Sequence, residues 1–98
     1  MKMSKITLKL NERLLKVINV ISDQAQNELE GLVKTTHTVQ FELFPGSLLV
    51  NCFFETQAQL DNSQALEKVF QRKLQKLLLK QGILLKESSR NLKFCLAQ

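Results

Sequence analysis

The fold is decided by the stretch THTVQFELFPGSLLVNCFFE, residues 36–55. Apolar and polar residues alternate on both sides of Pro45, a period of two that is typical of strands with one buried face. If Leu43 pairs with Leu48, the stretch forms a β-hairpin whose one face is apolar. An L-proline followed by a glycine favours a loop slightly longer than two residues. The apolar face consists of Val39, Phe41, Leu43, Leu48, Val50, Cys52 and Phe54.

The residues before the hairpin predict a strand followed by a helix. Ile6, Leu8 and Leu10 alternate with polar residues, as in a strand with one buried face. Asn11 is a suitable N-cap for the helix that follows, and Gly31 is its expected end. The amphipathic stripe of this helix consists of Leu14, Ile18, Ile21, Ala25 and Leu29.

The residues after the hairpin predict a second helix and further extended segments. Asp61 with Gln64 resembles a capping box, and the helix is expected to continue to Gly82. Beyond it, residues 83–87 and 92–95 form either a second hairpin or one strand with an extended approach. The apolar side of the second helix consists of Leu66, Phe70, Leu74, Leu77 and Leu78.

The order strand, helix, hairpin, helix, strand predicts a single α+β domain over residues 1–98. In this ferredoxin-like βαββαβ arrangement, an antiparallel sheet carries both helices on one face, as a two-layer sandwich. An alternative omits the first strand and gives the order αββαββ. No linker or low-complexity tract divides the chain.

Composition indicates an ordinary globular chain that folds in the cytoplasm. Apolar residues make up 44% and charged residues 23% of the 98 positions. No segment has the length and apolarity of a membrane span, and the first residues lack the pattern of a signal peptide. Cys52 and Cys95 have no CxxC spacing, so neither a disulfide framework nor a zinc site is predicted.

Catalytic chemistry is not predicted. The sequence contains no phosphate loop, dinucleotide fingerprint or nucleophile elbow, so we expect no cofactor and no small-molecule substrate. His37 is the only histidine, and no Cys, His or carboxylate stands near it at metal-ligand spacing, so no metal site is expected. The expected function is therefore binding of another macromolecule.

Positive charge is concentrated in the last third of the chain. Residues 1–63 hold six Lys/Arg against seven Asp/Glu, a net charge of −1, whereas residues 64–98 hold eight against two, a net charge of +6. Five of these cations are predicted to share the face of the second helix opposite its leucines. Such a face can neutralise phosphates and predicts an RNA, DNA or ribosome binder, with an ordinary solvated face as the alternative. These residues are Lys68, Arg72, Lys73, Lys76 and Lys80. Adsorption to a membrane is not expected, because it would expose the leucines that the core requires.

The outer face of the predicted hairpin is a second candidate surface. Leu49 and Phe53 point away from the apolar face, and Phe44 lies at the turn. Large apolar groups on an open sheet predict contact with another protein or with a second copy, unless the C-terminal strands or residues 56–62 cover them. The leading hypothesis is therefore a small interaction module that forms a homo-oligomer through this face or through the last strand. Nucleic-acid binding by the basic helix is the alternative hypothesis.

Overall fold

Residues 5–97 are described by the computed structural model, and they form a small α+β domain with two helices and three strands. The strands make one sheet of order β1-β2-β3, in which β1 and β2 are antiparallel and β2 and β3 are parallel. The elements in chain order are α1 (Lys5–Glu28), β1 (Leu32–Thr38), β2 (Leu49–Phe54), α2 (Gln57–Lys80) and β3 (Leu92–Leu96). The predicted α+β class is confirmed. The sheet is mixed rather than antiparallel, and the ferredoxin-like two-layer sandwich is not confirmed.

The predicted first strand is wrong, because residues from Lys5 onward belong to α1. Ile6 is 74% exposed and Leu8 is 48% exposed, so the alternation that suggested a buried face covers no core. Each residue added to an existing helix gains a backbone hydrogen bond, whereas a strand needs a neighbour to pair with. Asn11 therefore lies inside the helix and is not its N-cap. The predicted stripe from Leu14 to Leu29 is buried as expected.

Helix α2 begins earlier than predicted, because a second capping box precedes the predicted one. The Thr56 hydroxyl accepts from the Gln59 amide at 3.2 Å, and the Gln59 side chain accepts from the Thr56 amide at 3.2 Å. The longer helix adds Leu60 to the surface that packs against the core. Asp61, the predicted cap, is therefore an exposed residue of the second turn.

The hairpin forms, but its register differs by four residues from the predicted one. Thr38 pairs with Leu49, and residues 39–48 form a loop that contains a 3₁₀ turn at Phe41–Leu43 and a cis Phe44–Pro45 peptide bond. An even shift leaves each side chain on its predicted face, since side chains alternate with a period of two. Val50 and its partners on that face of β2 are therefore buried as predicted, whereas Leu43 is 64% exposed.

The C-terminal segment follows the predicted alternative of one strand with an extended approach. Ile83 and Leu85 are buried without forming a strand, and a 3₁₀ turn at Ser88–Arg90 leads into β3. The order αββαββ is therefore wrong in its last hairpin. One hydrophobic core joins both helices to the sheet, and the Phe94 ring contacts the rings of Phe54 and Phe70, at centroid distances of 5.1 and 6.2 Å.

Candidate functional site

The basic face of α2 consists of Lys68, Arg72, Lys76 and Lys80, and all four side chains are exposed. At about 100° per residue, these positions centre on a direction opposite to the buried residues Phe70, Leu74 and Leu78. Packing of the leucines into the core therefore turns the cations outward. Within residues 5–97, none of the four forms an ion pair.

Lys73, the fifth predicted cation, lies at the border of this face and has partners of its own. Its ammonium group contacts the Glu28 carboxylate of α1 at 2.8 Å and lies 4.8 Å from the centre of the Phe70 ring. The chain thus neutralises this charge itself, and the ion pair ties α1 to α2. Lys73 is a structural residue as well as a candidate site residue.

Helix α1 extends the basic surface, which sequence reasoning missed. Lys16 and Lys80 flank the same shallow depression between the helices, of about 90 Å³. Lys5, Lys9, Arg13 and Lys16 fall within about 80° of one another around α1, if the helix has ideal geometry. Two exposed carboxylates, Glu12 and Asp23, lie in or within about 20° of the same sector, so its charge is mixed with a cationic excess. The signal was present in their spacing, but the prediction of a strand at residues 6–10 concealed it.

Exposed apolar side chains accompany the cations. Val69 and Leu79 are exposed on α2, between the directions of the basic residues. Their presence makes the basic face amphipathic rather than purely charged. It can therefore contact both phosphates and the apolar parts of a partner.

The outer face of the sheet carries two of the three residues predicted for it. Leu49 and Phe53 are half-buried on the side of β2 opposite the core, and Asn51 lies between them. The Lys34 ammonium group lies 5.3 Å from the centre of the Phe53 ring. Phe44 lies elsewhere, because it packs against the core and the Phe41 ring at 5.7 Å.

The outward edge of β3 is covered by side chains of α2. The Ala97 amide donates to the Phe54 carbonyl at 2.7 Å, so the backbone groups of Leu92 and Phe94 point away from β2. The Glu67 carboxylate accepts from the Phe94 amide at 2.8 Å, and Gln71 Nε2 donates to the Leu92 carbonyl at 2.9 Å. These bonds occupy the Phe94 amide and the Leu92 carbonyl, two backbone groups that an added strand would need. This disfavours the predicted self-association through the last strand.

A cavity of about 380 Å³ lies between the loop at Pro45 and the approach to β3. Lys86 and Arg90 line it, and Arg90 forms an exposed ion pair with Glu87 at 3.2 Å. Asn91 is buried at its base and donates to the Leu48 carbonyl at 2.7 Å, which holds the loop against β3. Asn91 therefore has a structural role, because its side chain is occupied in holding the loop. The cavity itself is open to solvent on one side.

The two cysteines are free thiols in different environments. Cys52 faces the core, and burial, aided by Cys95 and Glu67, raises its pKa to about 12. Burial also raises the pKa of the Cys95 thiol, and its sulfur contacts Asn51 Oδ1 at 3.6 Å. A raised thiol pKa disfavours the nucleophilic thiolate.

Residues 5–97 hold neither a cluster of metal-binding side chains nor a membrane-spanning helix. In that range no three His, Cys, Asp or Glu side chains are grouped so that they could hold a metal ion. No helix there is long and apolar enough to cross a bilayer. His37 lies in β1, paired with Val50.

Comparison with protein-family models, with curated proteins and with solved structures gives no match to this chain.

Proposed function

We propose that this chain is a small non-catalytic interaction module whose basic helix face binds the phosphate backbone of nucleic acid. The observation that supports this proposal is that Lys68, Arg72, Lys76 and Lys80 are exposed, lie opposite the core and lack carboxylate partners within residues 5–97. Cations without internal partners are available to replace the counterions that surround phosphates. A cytoplasmic location belongs to the proposal, since both cysteines are free.

The proposed binding is independent of base sequence. Lysines predominate on this face, and a lysine ammonium group acts as a point charge without the planar fork of arginine. Phosphate contacts set affinity and position but carry no sequence information directly. We therefore expect similar affinity for unrelated sequences of the same nucleic acid.

The test is an electrophoretic shift assay with mixed RNA and mixed DNA at two salt concentrations. The double variant Lys68→Gln with Lys76→Gln should weaken binding at least tenfold at low salt. The matched control is Lys86→Gln with Lys93→Gln, which removes the same charge from exposed positions outside both helices. Equal weakening in both variants would mean that net charge alone matters, and would contradict the proposal. Absence of any shift with the unmodified protein would also contradict it.

Self-association is the second candidate function. Leu49 and Phe53 lie on the sheet face that does not contribute to the core, which favours burial against another protein surface. The loss of Phe44 from this surface makes the apolar patch smaller than the sequence suggested. The sheet therefore needs a contribution beyond these two side chains to form a stable contact.

A further inference from the structure

The two edges of the sheet differ in how their backbone groups are used. The Val50 amide donates to the Asn91 carbonyl at 2.9 Å, which directs the even-numbered residues of β2 towards β3 and the odd-numbered ones towards β1. In β1, the residues paired with those odd-numbered positions include Thr36, opposite Asn51. The backbone N–H and C=O groups of Thr35 and His37 therefore point away from the sheet.

Nothing in the described part of the chain binds these outward groups of β1. No backbone or side-chain hydrogen bond within residues 5–97 reaches the amides or carbonyls of Thr35 and His37. Among the described residues, the one side-chain bond nearby joins Thr35 Oγ1 to Ser22 Oγ at 2.7 Å, and it does not involve the backbone groups of Thr35. The edge of β3, in contrast, is covered by Glu67 and Gln71.

Proteins usually block sheet edges with proline, lysine or other charged side chains, bulges or a covering element, because an open edge pairs with other strands. In β1 the lysine and the bulge both lie near its beginning, and residues 35–38 carry neither. Strand β1 has the sequence LVKTTHT, which lacks proline and consists largely of good strand formers. A bulge interrupts it between Leu32 and Lys34, but the four following residues pair regularly. The edge of β1 is therefore open over residues 35–38, where a further strand could pair with it.

A second copy of the same chain suits this edge. Antiparallel pairing of two identical strands about a two-fold axis is isologous, so each copy satisfies the other. Lys34 is the only charged residue of β1. An axis through Thr35 or through Thr36 places Lys34 opposite a threonine of the other copy, Thr36 or Thr38, so no lysines face each other.

We infer that two copies of this chain join through β1, edge to edge and antiparallel, into one continuous six-stranded sheet. The inference rests on the self-association proposed above and names its contact. The joined sheet places the outer faces of both copies side by side, so that Phe53 and Lys34 lie next to the new seam. A seam of this length is below the roughly 1,200 Å² of a standard interface, so the dimer is weak and depends on concentration.

Hydrogen exchange of single amides tests the inference on the unmodified protein. Between about 20 µM and 1 mM protein, the amides of Thr35 and His37 should slow at least tenfold as the sedimentation mass rises towards two chains. The Phe94 amide is the internal control, because Glu67 holds it in a single copy and its exchange should change little.

A matched pair of variants tests the same contact. Thr35→Pro removes the outward amide, whereas Thr35→Val keeps it, and both lose the hydrogen bond to Ser22. Proline is tolerated at a sheet edge where the N–H faces solvent. We expect the valine variant to dimerise and the proline variant to remain a monomer at 1 mM.

The outcomes distinguish a dimer that forms through the edge of β1 from one that forms through the outer face of the sheet. A dimer that Phe53→Asp abolishes, while the amides of Thr35 and His37 exchange fast at every concentration, would overturn the edge pairing and leave self-association standing. A protein that remains a monomer at 1 mM would overturn both. A proline variant that dimerises as well as the valine variant would also overturn the edge pairing.

Discussion

Gln71 is expected to contribute measurably to stability through one buried hydrogen bond. Its side chain is buried, and Nε2 donates to the Leu92 carbonyl at 2.9 Å and, more weakly, to the Ser89 carbonyl at 3.4 Å. Substitution by leucine keeps the volume and removes the donor. The Leu92 carbonyl on the edge of β3 is then left without its protein partner.

The expected magnitude follows from two opposing terms. Leaving a buried carbonyl without a partner costs about 1–3 kcal/mol. The apolar branch of leucine regains up to about 0.8 kcal/mol, because the stem of Gln71 is already buried. Subtracting the full gain from the loss leaves roughly 0.2–2.2 kcal/mol, so Gln71→Leu should lower the free energy of unfolding by about 1 kcal/mol. For a chain of this size, that lowers the Tm by roughly 4–8 °C.

Urea unfolding followed by far-ultraviolet circular dichroism measures this change, since the chain has no Trp or Tyr for fluorescence. Gln26→Leu is the control, because Gln26 is exposed on α1 and the substitution should change stability by less than about 0.5 kcal/mol. If Gln71→Leu is as stable as the control, the carbonyl does not need this donor and the account of the covered edge is wrong.

Two further predictions concern charge and thiol reactivity. Arg72→Gln should reduce the slope of log affinity for double-stranded DNA against log salt by about 0.9, whereas Lys73→Gln should reduce it much less, because Glu28 already neutralises Lys73. Equal changes in the two slopes, measured by titration at several salt concentrations, would contradict this reasoning. Iodoacetamide should label Cys95 before Cys52 in the folded protein, and Cys52 labelling should accelerate as pH rises towards its pKa of about 12. Mass spectrometry of the peptides checks the order, and faster labelling of Cys52 would be the contrary result.

The sequence determined the helices and the faces that they bury. Apolar residues at helical spacing, such as Leu14 and Leu74, can be buried together only on one side of a helix. The same spacing turned Lys68 and Arg72 away from the core, so the basic face of α2 could be identified before any contact was known. The faces of β2 were also predictable, because side-chain alternation survives a register shift of an even number of residues.

Only the tertiary structure decided which helices, strands and side chains contact one another. Residues 6–10 fit a period of two, while Lys5, Lys9 and Arg13 also fit helical spacing, so the local pattern allowed both a strand and a helix. Likewise, the parallel direction of β3, the ion pair of Lys73 with Glu28 and the bond of Gln71 to Leu92 join residues far apart in the chain. Such contacts depend on how helices and strands pack, and periodicity within one segment carries no information about its neighbours in space. The open edge of β1 is visible only once the neighbours of every strand are known.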